Sequence, residues 1–177
     1  MQNKLIIIGS GAHAKVVLET VQRQGIYNVL GFCVDKISIG EKIFDHYCIL
    51  DNAMLSVLER DDSISFIVAI GDNKSRALFF ENASKKFKPA IIIDPKANIS
   101  PSSTVGNGCV ILSNACINSS AVIGENSIVN ISSIVDHDCK IGSNVRLAIG
   151  SIIGNNSRIS DNTSTNIGEI IQPFSEI

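Results

Sequence analysis

The stretch that decides the fold is residues 128–147, which read IVNISSIVDHDCKIGSNVRL. Aliphatic residues stand at every sixth position of it, and the same series runs from Ile93 to Ile177, where Thr165 is the one break in fifteen positions. Small side chains stand two places before the aliphatic ones from Ala97 onward, with two exceptions. Neither an α-helix, with a period of about 3.6, nor a lone strand, with a period of about 2, repeats in this way. The repeat predicts a left-handed parallel β-helix with the aliphatic residues inside.

The first 88 residues follow a different pattern, in which apolar runs alternate with segments of helical periodicity. Lys4–Ile8 is a short apolar run typical of a buried parallel strand, and it ends at a glycine turn. The pattern continues with a helix closing near Gly25, a strand at 28–34, a helix at 54–60, a strand at 65–70 and a helix at 75–87. The alternation predicts a small Rossmann-like α/β domain at residues 1–88, ahead of an all-β domain at 89–177.

Three loops of the predicted parallel sheet follow the carboxyl ends of its strands, where such sheets bind ligands. These loops contain Gly9–His13, Asp35 and Gly71–Asn73. A glycine turn ahead of a helix lets backbone N–H groups approach phosphate oxygens. Asp35 lies about twenty residues further on, where a carboxylate accepts hydrogen bonds from a ribose or a uracil. Lys36 and Arg76 are candidates to meet phosphate.

His137 is the most informative of the three histidines. It stands in Asp136–Asp138, two places after the inward Val135, so the register predicts an outward imidazole near a corner of the β-helix. The β-helix needs no histidine there for stability. A neighbouring carboxylate fixes the tautomer and raises the basicity of such a ring, as a general base near neutral pH requires. No histidine or cysteine stands eighteen residues away on the adjacent coils, so we expect no metal site.

Composition and the remaining motifs narrow the class of protein. A net charge of −2, no tryptophan and no basic cluster argue against nucleic-acid binding. Apolar runs such as Leu5–Ile8 are too short to cross a bilayer and no signal peptide is recognisable, so we expect a cytoplasmic protein without membrane insertion. The five cysteines form no zinc or redox spacing and are expected to act as packing residues. His46 is expected at the surface of an irregular stretch, whereas His13 is open to helix capping or ligand contact.

The chain resembles the hexapeptide-repeat sugar acyltransferases of the sialic acid O-acetyltransferase family, and most closely the UDP-N-acetylbacillosamine and perosamine N-acetyltransferases. The resemblance extends over essentially the whole chain. Its motifs are Ile8–His13, Asp35, Ala69–Asn73 with Arg76, and Asn130-x-Ser132-Ser133-x-x-x-His137-Asp138, of which the last is the most specific.

The resemblance implies a role for several residues. His137 matches the general base of the family, and Asp138 matches the acid that raises its basicity. The matches to nucleotide-sugar contacts are Gly11, Ala12, His13, Asp35, Lys36, Gly71, Asn73, Arg76 and Asn130. The family is a homotrimer with acetyl-CoA bound between neighbouring subunits, and Arg146 and Ile167 fall where members contact this co-substrate. Members commonly carry histidine in place of Arg146.

The expected activity is transfer of an acetyl group from acetyl-CoA to the amino group of a nucleotide-linked amino-deoxy sugar, for surface glycan biosynthesis. Two alternatives remain open, namely O-acetylation of a sugar hydroxyl and a non-catalytic subunit that binds a nucleotide sugar. An NAD-dependent enzyme built on the first domain is disfavoured, because Gly9-x-Gly11 lacks the third glycine of the dinucleotide fingerprint.

Overall fold

The computed structural model describes residues 3–34 and 39–177. The chain consists of two compact units, Met1–Ala90 and Ile91–Ile177. This division falls two residues after the boundary predicted from the sequence.

The first unit is a parallel sheet flanked by helices, as the alternating pattern predicts. Its elements are β1 (Asn3–Ile8), α1 (Ala12–Gln24), β2 (Tyr27–Cys33), β3 (Lys42–Ile43), β4 (His46–Leu50), α2 (Asn52–Val57), β5 (Ile64–Val68), α3 (Asn73–Ser84) and β6 (Lys88–Pro89). The strand order is β3-β4-β2-β1-β5-β6, and only β3 runs antiparallel to its neighbour. β1 is central, and Leu5–Ile8 are fully buried because the strand is covered on both faces.

The hairpin of β3 and β4 corrects the expectation for His46. This residue opens β4 instead of lying in an irregular stretch. It is half-buried, and its ring meets Phe32 edge to face with the ring centroids 6.1 Å apart. A strand of two residues, such as β3, is too short to show alternation, so the hairpin could not be recognised from the sequence pattern.

The third helix begins earlier than the apolar periodicity predicts. α3 starts at Asn73, because the carboxylate of Asp72 accepts a hydrogen bond of 2.8 Å from the N–H of Ser75 and caps the helix. The helix also ends sooner, at Ser84. Helix α2 likewise starts before the predicted residue 54 and ends before the predicted residue 60. These shifts bring the amino end of α3 directly onto the loop that follows β5.

The second unit confirms the predicted left-handed parallel β-helix. Each of its strands contains two residues and pairs in parallel with a strand eighteen residues away along the chain. The strands are β7 (Ile92–Ile93), β8 (Asn98–Ile99), β9 (Thr104–Val105), β10 (Val110–Ile111), β11 (Cys116–Ile117), β12 (Val122–Ile123), β13 (Ile128–Val129), β14 (Ile134–Val135), β15 (Lys140–Ile141), β16 (Arg146–Leu147), β17 (Ile152–Ile153), β18 (Arg158–Ile159) and β19 (Ile170–Ile171).

Three sheets form the walls of this β-helix. The first wall contains β7, β10, β13 and β16, the second contains β8, β11, β14, β17 and β19, and the third contains β9, β12, β15 and β18. The aliphatic series points inward, so that Ile117, Val135 and Ile153 lie in register on successive coils of the second wall. Together with the other walls they form one apolar core, which also contains Cys109 and Cys139.

The corners of the β-helix require an unusual backbone conformation. The residue three places after each inward aliphatic residue has a positive φ of 54° to 74°, from residue 108 to residue 174. The residues concerned are Gly108, Asn114, Ser120, Asn126, Ser132, Asp138, Asn144, Gly150, Asn156, Asn162, Gly168 and Phe174. Glycine, asparagine and aspartate tolerate this conformation best, which explains why they occupy nine of these twelve positions.

Thr165 occupies the inward position of its coil although it interrupts the aliphatic series. It is 6% exposed, and its hydroxyl accepts a hydrogen bond of 2.8 Å from the backbone N–H of Ala148. The strand at this point is reduced to a single bridge between Arg146 and Ser164. The threonine hydroxyl therefore satisfies a buried backbone donor at a place where the ladder is irregular.

Candidate active site

His137 and Asp138 form a hydrogen-bonded pair on the outside of the β-helix. They lie in the turn between β14 and β15, at the corner where the second and third walls meet. Nδ1 of His137 lies 2.7 Å from Oδ2 of Asp138, and the histidine side chain is 48% exposed. The remaining ring nitrogen, Nε2, is thus the atom available to exchange a proton with a bound molecule.

Asp136 holds the backbone of the same turn. Its Oδ1 accepts a hydrogen bond of 2.8 Å from the N–H of His137 and one of 2.9 Å from Nδ2 of Asn118. Asn118 lies eighteen residues earlier, on the adjacent coil. The sequence analysis missed this residue, although the eighteen-residue step between coils would have found it.

The carboxylates shift the titration of the site. The hydrogen bond that the His137 ring donates to Asp138 raises the pKa of His137, and the charges of Asp136 and Asp138 act in the same direction. The pKa of Asp136 is lowered, because its charged form accepts the hydrogen bonds from Asn118 and from the His137 backbone. The imidazole is therefore a stronger base than a free histidine, as the sequence analysis expected.

A groove of about 270 Å³ lies beside Asp138. Its lining residues are Ser120, Asp138, Lys140, Asn156 and Arg158. Arg158 also pairs with Glu176, with Nε and Oε1 3.3 Å apart. The groove thus presents both charged and neutral hydrogen-bonding groups around Asp138.

The other candidates on the β-helix lie away from this corner. Asn130 is buried at the end of β13, and its Oδ1 accepts a hydrogen bond of 2.9 Å from the N–H of Ile131. Arg146 is half-buried in β16 on the first wall, and Ile167 is 77% exposed in a turn of the following coil. Within one chain, then, Arg146 stands on the wall opposite the corner that carries His137.

The first unit brings two of its predicted loops together at the carboxyl end of its sheet. Gly9 has a φ of 109°, and a Cβ atom there would lie 2.9 Å from Cγ1 of Ile70 and 3.1 Å from the carbonyl oxygen of Ala69. The turn after β1 therefore needs glycine in order to approach the loop after β5. Asp35 and Lys36, which belong to the third predicted loop, lie outside the described residues.

Gly11 and Gly71 are glycines for which the protein itself gives no structural reason. A Cβ atom on either would meet nothing within 4 Å, and neither has a positive φ. Gly11 caps the amino end of α1, whose first turn contains the exposed Ala12 and the half-buried His13. The missing side chains leave open space beside the N–H groups of a helix terminus, which is the environment that a phosphate prefers.

Arg76 and Asn73, which the resemblance matches to nucleotide-sugar contacts, are buried in the structure. Arg76 is 1% exposed and Asn73 8% exposed. The Nη2 of Arg76 donates a hydrogen bond of 2.8 Å to Oδ1 of Asn73, and Nη1 donates to the carbonyl oxygens of Ile70 and Gly71. Both side chains are engaged within the protein, because the early start of α3 turns them under the loop.

Two features are absent from residues 3–34 and 39–177. In this part of the chain, no three or more His, Cys, Asp or Glu side chains are grouped so that they could hold a metal ion. Nor does any helix in it have the length and apolar character needed to span a membrane.

Family models match both parts of the sequence. The PglD N-terminal domain matches residues 4–83, and the GMPPB C-terminal domain matches residues 79–177. Among curated proteins, no sequence gives a significant match.

Solved structures match the chain over nearly its full length. The acetyltransferase domain of PglB from Neisseria gonorrhoeae FA1090 is 28% identical, with 99% of this chain and 88% of that chain covered and a TM-score of 0.75. The same domain in complex with acetyl coenzyme A is 26% identical, with coverages of 99% and 96% and a TM-score of 0.78. PerB from Caulobacter crescentus, in complex with CoA and GDP-perosamine, is 26% identical, with coverages of 98% and 88% and a TM-score of 0.68.

The match to the GMPPB C-terminal domain includes more than half of the chain, and the PglB acetyltransferase domain shares the order of both units. The protein therefore belongs to the GMPPB C-terminal domain family.

Proposed function

We propose that this protein transfers an acetyl group from acetyl-CoA to the amino group of a nucleotide-linked amino sugar, with His137 as the general base. The observation that carries the proposal is the contact of 2.7 Å between His137 and Asp138 on the outside of a hexapeptide β-helix. The complexes of the PglB domain with acetyl coenzyme A and of PerB with CoA and GDP-perosamine support the choice of both substrates.

The chemistry follows from the orientation of the ring. Because Asp138 occupies Nδ1, Nε2 accepts the proton that the sugar amine loses as its nitrogen attacks the thioester carbonyl carbon. The new C–N bond forms, the C–S bond breaks, and the departing thiolate takes the proton from the imidazolium. The carboxylate of Asp138 stabilises that imidazolium while it exists. The developing oxyanion needs a donor, and Arg146 is our candidate.

We propose that the first unit binds the nucleotide sugar in the crevice formed by the loops after β1 and β5. Gly11 and Gly71 support this assignment, since both leave open space that the fold does not require. The N–H groups of Gly11, Ala12 and His13 are suited to a diphosphate at the amino end of α1. Asp35 and Lys36 stay in the proposal as contacts to the nucleotide.

The active form in this proposal is a homotrimer with its sites between subunits. One chain holds His137 and Arg146 on opposite sides of its β-helix, so a second copy is needed to bring an Arg146 to a His137. The outer face of the second wall supports association, because it carries an apolar column next to the His137 corner. That column consists of Cys116, Ile134, Ile152 and Ile170.

The transfer is tested with purified protein, acetyl-CoA and a panel of UDP-, GDP- and dTDP-linked 4-amino sugars. Thiol release and the mass of the acetylated sugar are followed, and sialic acid is included as an acceptor to detect O-acetylation. We expect thiol release with a nucleotide-linked amino sugar and a fall of about a hundredfold to ten-thousandfold in His137→Ala. Glu125→Gln, an outward residue of the same register at another corner, is the matched control. Full turnover by His137→Ala would refute the assignment of His137 as general base. Acetylation of sialic acid alone would refute a nucleotide-linked amino sugar as the acceptor.

The trimer is tested by replacing Ile134 with glutamate. A charge in the apolar column should dissociate the oligomer, which light scattering measures, and should abolish transfer while nucleotide binding by the first unit persists. A variant that remains trimeric, or a monomer with full activity, would contradict an active site shared between copies.

A further inference from the structure

Arg76 stands out as a buried cation that the proposed chemistry does not use. Its guanidinium spans three acceptors around the end of β5: the carbonyl oxygen of Ile70 at 3.3 Å, that of Gly71 at 3.1 Å and Oδ1 of Asn73 at 2.8 Å. The residue is 1% exposed, so it does not itself reach a ligand in the crevice.

Burial of the Arg76 guanidinium raises the free energy of the folded state unless its hydrogen bonds are made. Burying a charged group without partners is strongly unfavourable, whereas a guanidinium that donates in several directions compensates for much of the loss of water. The planar fork of arginine reaches acceptors on two sides at once, which the single ammonium of lysine cannot do. The buried guanidinium of Arg76 therefore fixes the carbonyl groups of two successive loop residues, Ile70 and Gly71.

The loop that Arg76 fixes is in contact with the other proposed substrate loop. Ile70 lies against Gly9, where no side chain could be added without meeting its Cγ1 atom. Asp72, the next residue after Gly71, caps α3 through Ser75. A movement of Ile70 would displace the turn that leads to Gly11, so one side chain controls the positions of both glycine loops.

We infer that Arg76 is a positioning residue for nucleotide-sugar recognition, which acts by holding the Ile70–Gly71 backbone in the conformation that the nucleotide meets. This inference rests on the proposed function, since it takes the crevice of the first unit to be the nucleotide-sugar site. It assigns Arg76 no contact with the substrate and no part in proton transfer.

The test compares Arg76→Lys and Arg76→Met with the unaltered protein. KM for the nucleotide sugar should rise about tenfold in Arg76→Lys and further in Arg76→Met, because misplaced loop atoms lose contacts with the ligand. KM for acetyl-CoA should not change, and kcat at saturating sugar should fall by less than threefold. Asn73→Ala, which removes the Oδ1 acceptor of Arg76, should give a smaller rise in KM than Arg76→Met.

Two measurements distinguish an effect of Arg76 on nucleotide recognition from a loss of folding and from a failure of the proposed function. Thermal unfolding is recorded for each variant, with Arg60→Lys as the control, since Arg60 is an exposed arginine paired with Asp62. Calorimetric binding of UDP and GDP without any acetyl donor reports on the crevice even if no transfer is detected. An unchanged KM and nucleotide affinity in folded Arg76→Met would overturn the inference, as would an equal rise in KM for both substrates. Transfer absent with nucleotide binding intact would instead count against the proposed function.

Discussion

Oδ2 of Asp138 lies 2.7 Å from Nδ1 of His137, the residue directly before it, and Asp138 has a φ of 60°. The contact is a consequence of the corner conformation that the β-helix adopts once in every six residues. Asparagine occupies the equivalent corner position at Asn114, Asn126 and Asn144. The acid thus stands where the fold already favours aspartate or asparagine, and the neighbouring outward position carries the base.

Asp138→Asn keeps this backbone conformation and removes the charge. Since Asp138 is the largest cause of the raised pKa of His137, the acid limb of the pH-rate profile should move to lower pH in the variant. The plateau rate should fall by about tenfold or more, because the amide orients and stabilises the imidazolium less well. The measurement is kcat/KM against pH, and an unmoved acid limb would rule out the pairing.

The same pair makes a prediction for stability. A histidine whose pKa is raised by folding stabilises the protein fully below its unfolded pKa, near 6.5, and this contribution is lost as pH rises through the raised value. The melting temperature of Asp138→Asn should therefore lie below that of the unaltered protein at pH values just under 6.5 and approach it at pH 9. A difference that grows with pH would contradict this sign.

Gly71→Ala and Gly9→Ala should behave in opposite ways. Alanine at Gly71 meets no atom within 4 Å, so the melting temperature should hold or rise slightly, while KM for the nucleotide sugar increases. Alanine at Gly9 meets Ile70 and the backbone of Ala69 at a φ of 109°, so that variant should unfold at a lower temperature. Normal binding of the nucleotide sugar by Gly71→Ala would show that the open space beside Gly71 is not part of the binding site.

Thr165→Val should destabilise the β-helix although it completes the aliphatic series. It removes the acceptor for the buried N–H of Ala148, a loss of about 1–3 kcal/mol, against about 0.8 kcal/mol gained from the added methyl group. Thr165→Ser keeps the hydroxyl and separates the two effects. Chemical denaturation measures the free energy of unfolding, and a stabilised valine variant would show that the repeat alone governs this position.

Phe174→Asn should stabilise the protein. Phe174 has a φ of 61° and is 73% exposed. Its backbone is therefore strained, and burial of the ring contributes little stability. Relief of that strain is worth about 1 kcal/mol. The reverse change at an exposed corner, Asn114→Phe, should lower the melting temperature by a similar amount. A drop for Phe174→Asn in thermal unfolding would indicate that the ring packs against another copy.

Much of the fold could be predicted because it repeats. The inward series and the parallel pairing at eighteen residues both follow from a period of six, and Val135 fixes the outward direction of His137 by counting. The hairpin of β3 and β4 was missed because a strand of two residues carries no periodicity. The start of α3 was misplaced because a cap depends on where Asp72 points, which composition does not reveal.

The sequence by itself determined the β-helix, the α/β unit ahead of it and the pairing of His137 with a neighbouring acid, because each depends on residues close together or regularly spaced in the chain. Only the tertiary structure decided that Arg76 turns inward onto the loop after β5, that Asn118 holds Asp136, and that Thr165 belongs inside. Those outcomes depend on which donors and acceptors are brought together from different coils and elements, and a buried polar group takes the partner that the fold places within reach.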